Sequence, residues 1–168
     1  MSTESSPPIA GQFFRAGVGI VVTDATGRVL ALERADRPGA WQFPQGGLEA
    51  TEEPRDAALR ELREETGLSP GDLELVDELD EWLVYELPPA DRSPKTGRGQ
   101  VQRWLKFAVP ADGDELEYRP GIEARRLRWM PFPELLEGVV DFRRETYERI
   151  GRRFALSDGP KVRPPENN

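Results

Sequence analysis

Residues 46–68, GGLEATEEPRDAALRELREETGL, are the most informative stretch of the chain. Two glycines open this stretch, Pro54 stands where a helix can begin, and Gly67 stands where it should end. Proline is favoured at the first helical position, and glycine is favoured just after the last one. The spacing therefore predicts a helix over residues 54–66, with a glycine loop in front and a glycine stop behind.

Three carboxylates share one face of this predicted helix. Glu61, Glu64 and Glu65 stand at positions i, i+3 and i+4, which lie together on a helical surface. Like charges at this spacing weaken an isolated helix by roughly 0.2–0.5 kcal/mol per pair, so a divalent cation with its preference for oxygen ligands is a natural compensation. The alternative is a solvated acidic face beside Arg60 and Arg63, which the flanking glycines make the weaker interpretation.

Two residue types are absent, and their absence restricts the catalytic groups that this chain can use. The chain of 168 residues has 31 Asp and Glu against 23 Lys and Arg, a net charge of −8, and it contains neither histidine nor cysteine. Ser-His-Asp and Cys-His nucleophiles, Cys/His zinc sites, thiol chemistry and disulfides are thereby excluded. Any acid–base or metal chemistry must rely on carboxylates, supported by Lys, Arg or Tyr.

Length and pattern predict a single mixed α/β domain. A chain of about 100–200 residues usually forms one core. We expect that domain over residues 13–156, between tails at 1–12 and 157–168 whose polar, Pro-rich composition predicts disorder. Apolar runs predict strands at 16–23, 28–34, 73–87, 102–109 and 126–130, an extended segment at 41–44, a helical turn at 133–136 and a last helix at 142–154.

Composition also bears on location and partners. No charged-then-apolar leader opens the sequence, and no apolar run approaches the roughly 20 residues of a membrane span, so we expect a cytoplasmic protein without a membrane partner. The net negative charge opposes nonspecific binding along a nucleic-acid backbone, so we expect no DNA partner. The oligomeric state is left open.

Residues 46–68 resemble the Nudix box, the 23-residue signature of enzymes that cleave nucleoside diphosphates linked to another moiety. After Gly46 come five residues and then Glu52; seven further residues lead to the segment RELREETGL at 60–68. The resemblance implies a Nudix fold, an α/β/α sandwich around a mixed β-sheet. It also implies that the box forms a loop, a helix and a second loop.

The resemblance further implies roles for the box residues. The carboxylates on the helix face would be catalytic and would hold Mg²⁺ or Mn²⁺ against a pyrophosphate, while an ion pair would brace the loop on the helix. The loop backbone would approach metal or phosphate closely, as glycine permits. Since histidine is absent, we expect a glutamate as general base, Glu65 first and Glu61 second. The assignments are Glu61, Glu64 and Glu65 for the metal, Glu52 and Arg60 for the ion pair, and Gln45, Gly46 and Gly47 for the loop backbone.

Other segments resemble one branch of that family, the bacterial RNA pyrophosphohydrolases and related asymmetrical dinucleoside-tetraphosphate hydrolases. These segments are WQFPQGG at 41–47, WLVYELP at 82–88, GQVQRW at 99–104 and VDFRR at 140–144. Position 86 is glutamate, where the branch often has a basic residue. The resemblance implies a further metal ligand in Glu123, phosphate contacts from Arg15, Arg34 and Tyr85, and contacts to a base or to terminal phosphates from Phe142 and Arg143.

The sequence therefore predicts a metal-dependent Nudix pyrophosphohydrolase. The preferred substrate is the 5′ end of triphosphorylated RNA, and the alternative is a dinucleoside polyphosphate such as diadenosine tetraphosphate. Hydrolysis of modified nucleotides or nucleotide sugars comes third. A non-catalytic nucleotide-binding module is also considered, although such domains typically lose a box glutamate and this chain retains them all. For Phe142 and Arg143, packing in the core and a solvated helix face remain the alternatives.

Overall fold

The computed structural model describes residues 13–156, which form one mixed β-sheet with helices on both faces. The tails expected at 1–12 and 157–168 lie outside the described residues. The strands are β1 (Phe14–Thr23), β2 (Val29–Arg34), β3 (Trp41–Gln42), β4 (Gln45–Gly47), β5 (Glu74–Glu78), β6 (Leu83–Glu86), β7 (Gly99–Ala108) and β8 (Ala124–Met130), and the helices are α1 (Pro54–Thr66), α2 (Phe132–Gly138) and α3 (Asp141–Arg153).

The sheet is built around β1 and β7, which pair in parallel along their whole length, from Phe14 beside Gly99 to Thr23 beside Ala108. The remaining pairs are antiparallel: β2, β4 and their neighbours continue from β1, while β5 and β6 follow one another along the outer side of β7. The middle of β1 is buried on both faces, as expected for a continuous Val- and Ile-rich strand between two layers.

Two hydrophobic clusters fill the two sides of this sheet. One cluster packs α1 through Ala57, Ala58 and Leu62 against alternate residues of β1 and β7. The other packs α2 and α3 through Leu135, Tyr147 and Ile150 against the opposite face. Because each layer buries its apolar face against the sheet, the arrangement is the α/β/α sandwich that the sequence predicts.

Helix α1 has the predicted bounds. Pro54 occupies its first turn, and Gly67 adopts a left-handed conformation with φ 68° while donating its N–H to the carbonyl of Arg63. That conformation costs little for a residue without Cβ, so glycine ends the helix here. Among the described residues, no helix is both long and apolar enough to cross a membrane.

Two predictions about the strands need correction. The single strand expected over 73–87 is divided into β5 and β6, because the intervening segment leaves the pairing and Glu81 forms salt bridges with Arg149 and Arg153 of α3. The glycine loop is partly a strand, β4, because its backbone pairs with β1 beside the start of α1. Both differences arise from tertiary contacts that the local pattern does not contain.

Candidate active site

Strand β4 brings backbone into direct contact with the carboxylates of α1. A Cβ built on Gly46 would lie 1.9 Å from Cδ of Glu61, so no larger residue fits while that carboxylate keeps its place. On Gly47 a Cβ would lie 2.5 Å from Nη2 of Arg15. The Gln45 backbone N–H donates to Oε2 of Glu65 at 3.0 Å. Glycine is therefore needed at both positions, because the Glu61 carboxylate and the Arg15 guanidinium occupy the space that a Cβ would take.

Arg60 ties the loop to the helix. Its Nε donates to Oε1 of Glu52 at 2.8 Å, and its Nη2 donates to Oε2 of the same carboxylate at 2.9 Å. The guanidinium also donates to the Gly47 carbonyl at 2.9 Å and to Oε1 of Glu61 at 2.8 Å. These charge-assisted bonds lower the pKa of Glu52 to about 2.

The three helix carboxylates differ in their surroundings. Glu65 is 7% exposed, and burial raises its pKa to about 8, with smaller contributions from neighbouring Glu61, Glu123 and Glu64. Burial also raises the pKa of Glu61, although Arg60 opposes this effect. Glu64 is exposed at the rim. Burial and mutual repulsion thus oppose the ionisation of the carboxyl groups on this helix face.

The loop before β8 brings the fourth carboxylate to the same place. The N–H of Arg119 donates to the carbonyl of Thr66, and the N–H of Gly121 donates to the carbonyl of Glu65, each at 2.9 Å. These bonds attach the loop to the end of α1. Glu123 consequently lines a cleft of about 560 Å³ together with Glu61, Glu64 and Glu65.

The chemistry of these donors fits a hard divalent cation. Four carboxylates around one cleft provide the oxygen ligands that Mg²⁺ and Mn²⁺ prefer. The side chains are not gathered into a preformed cage: over residues 13–156, no three acidic side chains meet with the geometry to hold an ion. Glu61 instead pairs with Arg60, and Glu65 accepts the Gln45 N–H.

A second cleft of about 560 Å³ continues from the first, and its lining combines four basic side chains with three acidic ones and the ring of Phe142. Arg34 lines it while donating to Asp36 at 2.6 and 2.8 Å, and the start of α3 contributes Phe142 and Arg143. The two clefts form a single groove, because they share the lining residues Arg15, Gln45, Lys95, Gln100, Ile122 and Glu123.

Arg143 is an unusual feature of the second cleft. It is only 5% exposed, and its Cζ lies 5.4 Å from the ring centroid of Tyr85 and 5.6 Å from that of Phe142. Its Nη1 donates to Oε1 of Gln42, whereas its buried Nε has no partner. Within residues 13–156 it forms no salt bridge with a carboxylate. A buried cation without a negative partner is costly unless an anion approaches it.

Tyr85 packs against Arg143 and is not among the residues that line the two clefts. Its buried hydroxyl has no hydrogen-bond partner among the described residues. The adjacent Glu86 points the opposite way along β6 and pairs with Arg98 at 2.8 Å and Arg92 at 3.3 Å. The acid at position 86 is therefore directed away from the stacked rings.

Several residues of the groove were not predicted from the sequence. Gln100 lines both clefts, and the buried Gln102 donates to it; the two occupy alternate positions of β7, a polar repeat that could have indicated one functional face. Lys95 and the fully exposed Ile122 come from loops, where no periodic signal exists. Gln42 lies between Trp41 and Phe43, and this aromatic context did not indicate a groove residue.

Comparison with known proteins shows the family of the chain. The sequence model of the NUDIX domain matches residues 13–150. An RNA pyrophosphohydrolase of Roseobacter denitrificans is 41% identical over 82% of this chain and 89% of its own length. Nudix hydrolase 25 of Arabidopsis thaliana is 37% identical over 84% of this chain and 86% of its own length.

Solved structures show the same fold. The dihydroneopterin triphosphate pyrophosphohydrolase of E. coli superposes with a TM-score of 0.69 at 21% identity, over 84% of this chain and 99% of that one. An Ap4A hydrolase of C. elegans superposes with a TM-score of 0.65 at 16% identity, over 84% and 98%.

Fold, groove and relatives together define a hydrolase that acts on pyrophosphate bonds. The chain belongs to the Nudix family. Members of this family generally need divalent metal ions and act on nucleoside polyphosphates or RNA.

Proposed function

We propose that this Nudix pyrophosphohydrolase removes pyrophosphate from the 5′ end of triphosphorylated RNA. The observation that carries the proposal is the buried, unneutralised Arg143, which faces the same groove as the box carboxylates. Such a groove offers oxygen ligands for a cation at one end and a guanidinium stacked on aromatic rings at the other. Arginine and aromatic groups suit phosphates and unstacked bases. Relatives that bear the name RNA pyrophosphohydrolase support the same choice.

The acidic end of the groove would hold the metal. Glu61, Glu64, Glu65 and Glu123 are the proposed ligands for Mg²⁺ or Mn²⁺, which when bound would neutralise phosphate charge and polarise the phosphoryl oxygens. Glu65 is our first candidate for the general base, because it is the most enclosed of these four carboxylates and the Gln45 N–H fixes its orientation. Glu61 is the second candidate.

The proposed reaction needs water and no other co-reactant. The water oxygen forms a bond to phosphorus, a phosphoric anhydride P–O bond breaks, and the base takes the proton that the water loses. Pyrophosphate departs, and the RNA keeps a 5′ monophosphate. Arg15, Arg34 and Arg143 would bind the phosphates, with Phe142 against the first base. Tyr85 would support the Arg143 guanidinium from behind.

A dinucleoside polyphosphate is the second candidate substrate. The net charge of −8 favours it, because a long RNA backbone is repelled more strongly by an acidic protein than a compact dinucleotide is. In that case the same carboxylates and arginines would bind the polyphosphate bridge. The phosphate chemistry is shared, so the two substrates must be separated by experiment.

A competition assay tests the choice. The full chain is incubated with Mg²⁺, triphosphate-ended RNA and diadenosine tetraphosphate at equal concentration, and the release of pyrophosphate and of ATP is followed. Faster release of pyrophosphate supports the proposal, whereas ATP release that far exceeds RNA trimming overturns it. The proposal includes a cytoplasmic location, which cell fractionation can check.

A further inference from the structure

Three glutamine side chains meet at the bottom of the groove, between its acidic and basic ends. Gln45 comes from β4, and Gln100 and Gln102 come from β7. Gln102 is fully buried, and its Nε2 donates to Oε1 of Gln45 at 3.2 Å and to Oε1 of Gln100 at 3.0 Å. A buried amide with no solvent access thus connects two amides that line the groove.

The number of donors on Gln102 has a consequence for its neighbours. A primary amide has two N–H donors, and Gln102 gives one to each neighbouring carbonyl. The carbonyl ends of Gln45 and Gln100 are therefore occupied beneath the surface. Over residues 13–156 their own Nε2 groups donate to no other side chain, so these donors are available to the groove.

The position of these donors matches the path of a polyphosphate. Gln45 and Gln100 line both clefts, and the pairing of β1 with β7 sets Gln100 beside Arg15. A phosphate chain that extends from the box carboxylates toward Arg143 has to cross this junction. Its oxygens accept hydrogen bonds and donate none when ionised.

Neutral donors have a physical advantage at this point. A cation near these carboxylates can be held by an ion pair, as Arg60 is by Glu61 and Arg34 is by Asp36. An amide carries no charge, so the carboxylates of the acidic end do not capture it as an ion pair. It can keep its N–H groups directed at an incoming phosphate.

We propose that Gln102 is a positioning residue that holds the amides of Gln45 and Gln100 with their N–H donors toward the phosphate chain of the substrate. This inference rests on the proposed pyrophosphohydrolase site, and it concerns the phosphates that all of its candidate substrates share. Gln102 does not itself reach the groove, so it acts through its two neighbours.

The first test replaces Gln102 by methionine, which has similar volume and no donors. Binding of inorganic tripolyphosphate in the presence of Mg²⁺ is measured by calorimetry, and KM and kcat are measured on triphosphate-ended RNA. We expect tripolyphosphate affinity to fall about tenfold and KM to rise by a similar factor, with kcat within about twofold, since two organised hydrogen bonds weaken. Unchanged binding would show that Gln102 positions no phosphate donor, and stronger binding would show that the carbonyls, not the donors, face the groove; either result would overturn the inference.

A control separates positioning from general damage to the sheet. Phe107→Leu alters a buried residue of β7 that lines neither cleft, and we expect it to lower the melting temperature without changing tripolyphosphate affinity. Gln100→Met, at a half-buried position, provides an arm that does not depend on the folding of the Gln102 variant. It should weaken tripolyphosphate binding by about threefold, and normal binding would contradict the proposal.

A double-mutant comparison tests whether Gln102 acts through its neighbours. In a Gln45→Met, Gln100→Met background, the further change Gln102→Met should alter affinity by less than about twofold, because the groups it positions are gone. A full additional tenfold loss would overturn the inference. Tripolyphosphate has no sugar or base, so its binding does not depend on whether the substrate is RNA or a dinucleoside polyphosphate. Failure of the wild-type protein to bind it would overturn the inference directly.

Discussion

Arg60 and Glu52 form a two-pronged ion pair across the loop that leads into α1, with Nε to Oε1 at 2.8 Å and Nη2 to Oε2 at 2.9 Å. The same guanidinium reaches the Gly47 carbonyl and Glu61. One side chain thus links the loop, the glycine strand and a proposed metal ligand. Its planar donor geometry allows all four contacts at once.

Replacing Arg60 by lysine should therefore be disruptive. An ammonium group cannot reproduce the paired donors, so we expect the free energy of unfolding to fall by about 1–2 kcal/mol and turnover to decrease with it. Chemical denaturation and steady-state kinetics measure the two effects. Arg55→Lys on the same helix is the control, because Arg55 is well exposed and, within the part of the chain that the structure describes, pairs only with Glu78. Equal behaviour of the two variants would contradict a special role for Arg60.

The Glu52 carboxylate should contribute a defined acid sensitivity. Its pKa is lowered to about 2 from an ordinary 4.5, so the folded state favours the charged form. Its stabilising contribution is complete above pH 4.5 and is lost as the pH falls toward 2. The difference in melting temperature between wild type and Glu52→Gln should be constant near neutral pH and shrink across that window. A difference independent of pH would count against the ion pair.

Glu65→Gln tests the proposed base and ligand. The amide keeps the size of the side chain but cannot take a proton, so we expect kcat to fall by about 10²–10⁴-fold with a normal circular dichroism spectrum and melting transition. Glu53→Gln is the matched control, because Glu53 belongs to the same box and is exposed to solvent. Near-normal turnover of the Glu65 variant would exclude it as base or essential ligand.

Gly46→Ala should reduce activity more than stability. The new methyl group would occupy the place of the Glu61 carboxylate, which lies within 2.3 Å of a Cβ built there and must rotate away. We expect a loss of kcat of at least about tenfold, since a displaced ligand is a 1 Å-scale error in the site. Gly71→Ala, where a Cβ meets only Oγ of Ser69 at 3.9 Å, serves as the reference. Equal activity in the two variants would refute this account of Gly46.

Arg143→Met should separate function from stability. Removal of a buried charge without a carboxylate partner should leave the melting temperature unchanged or raise it, as apolar replacements of buried charges often do. KM for triphosphate-ended RNA should nevertheless rise about 10- to 100-fold, because a charge-assisted phosphate contact is lost. Arg149→Met on the exposed side of α3 is the control. A strongly destabilised variant with normal KM would indicate that Arg143 is purely structural.

The box could be predicted in detail because its signals are local. The bounds of α1, its proline start and its glycine end follow from backbone preferences of single residues, and the spacing of Glu61, Glu64 and Glu65 follows from helical geometry. Local patterns did not predict the break between β5 and β6, because contacts between residues distant in sequence decide it. Glu81, held by two arginines of α3, lies in the interruption between β5 and β6.

The sequence alone determined the helix that carries the carboxylates, the absence of histidine and thiol chemistry, and a mixed α/β domain, because each depends on residue type or short-range spacing. The sandwich architecture was implied by the resemblance to the Nudix family. Only the tertiary structure decided that Arg143 is buried on Tyr85 and that Gln45 meets Gln102 across 57 positions of sequence. These contacts depend on which strands pair and which face each side chain takes. That information arises when β1, β4 and β7 come together, and no short segment contains it.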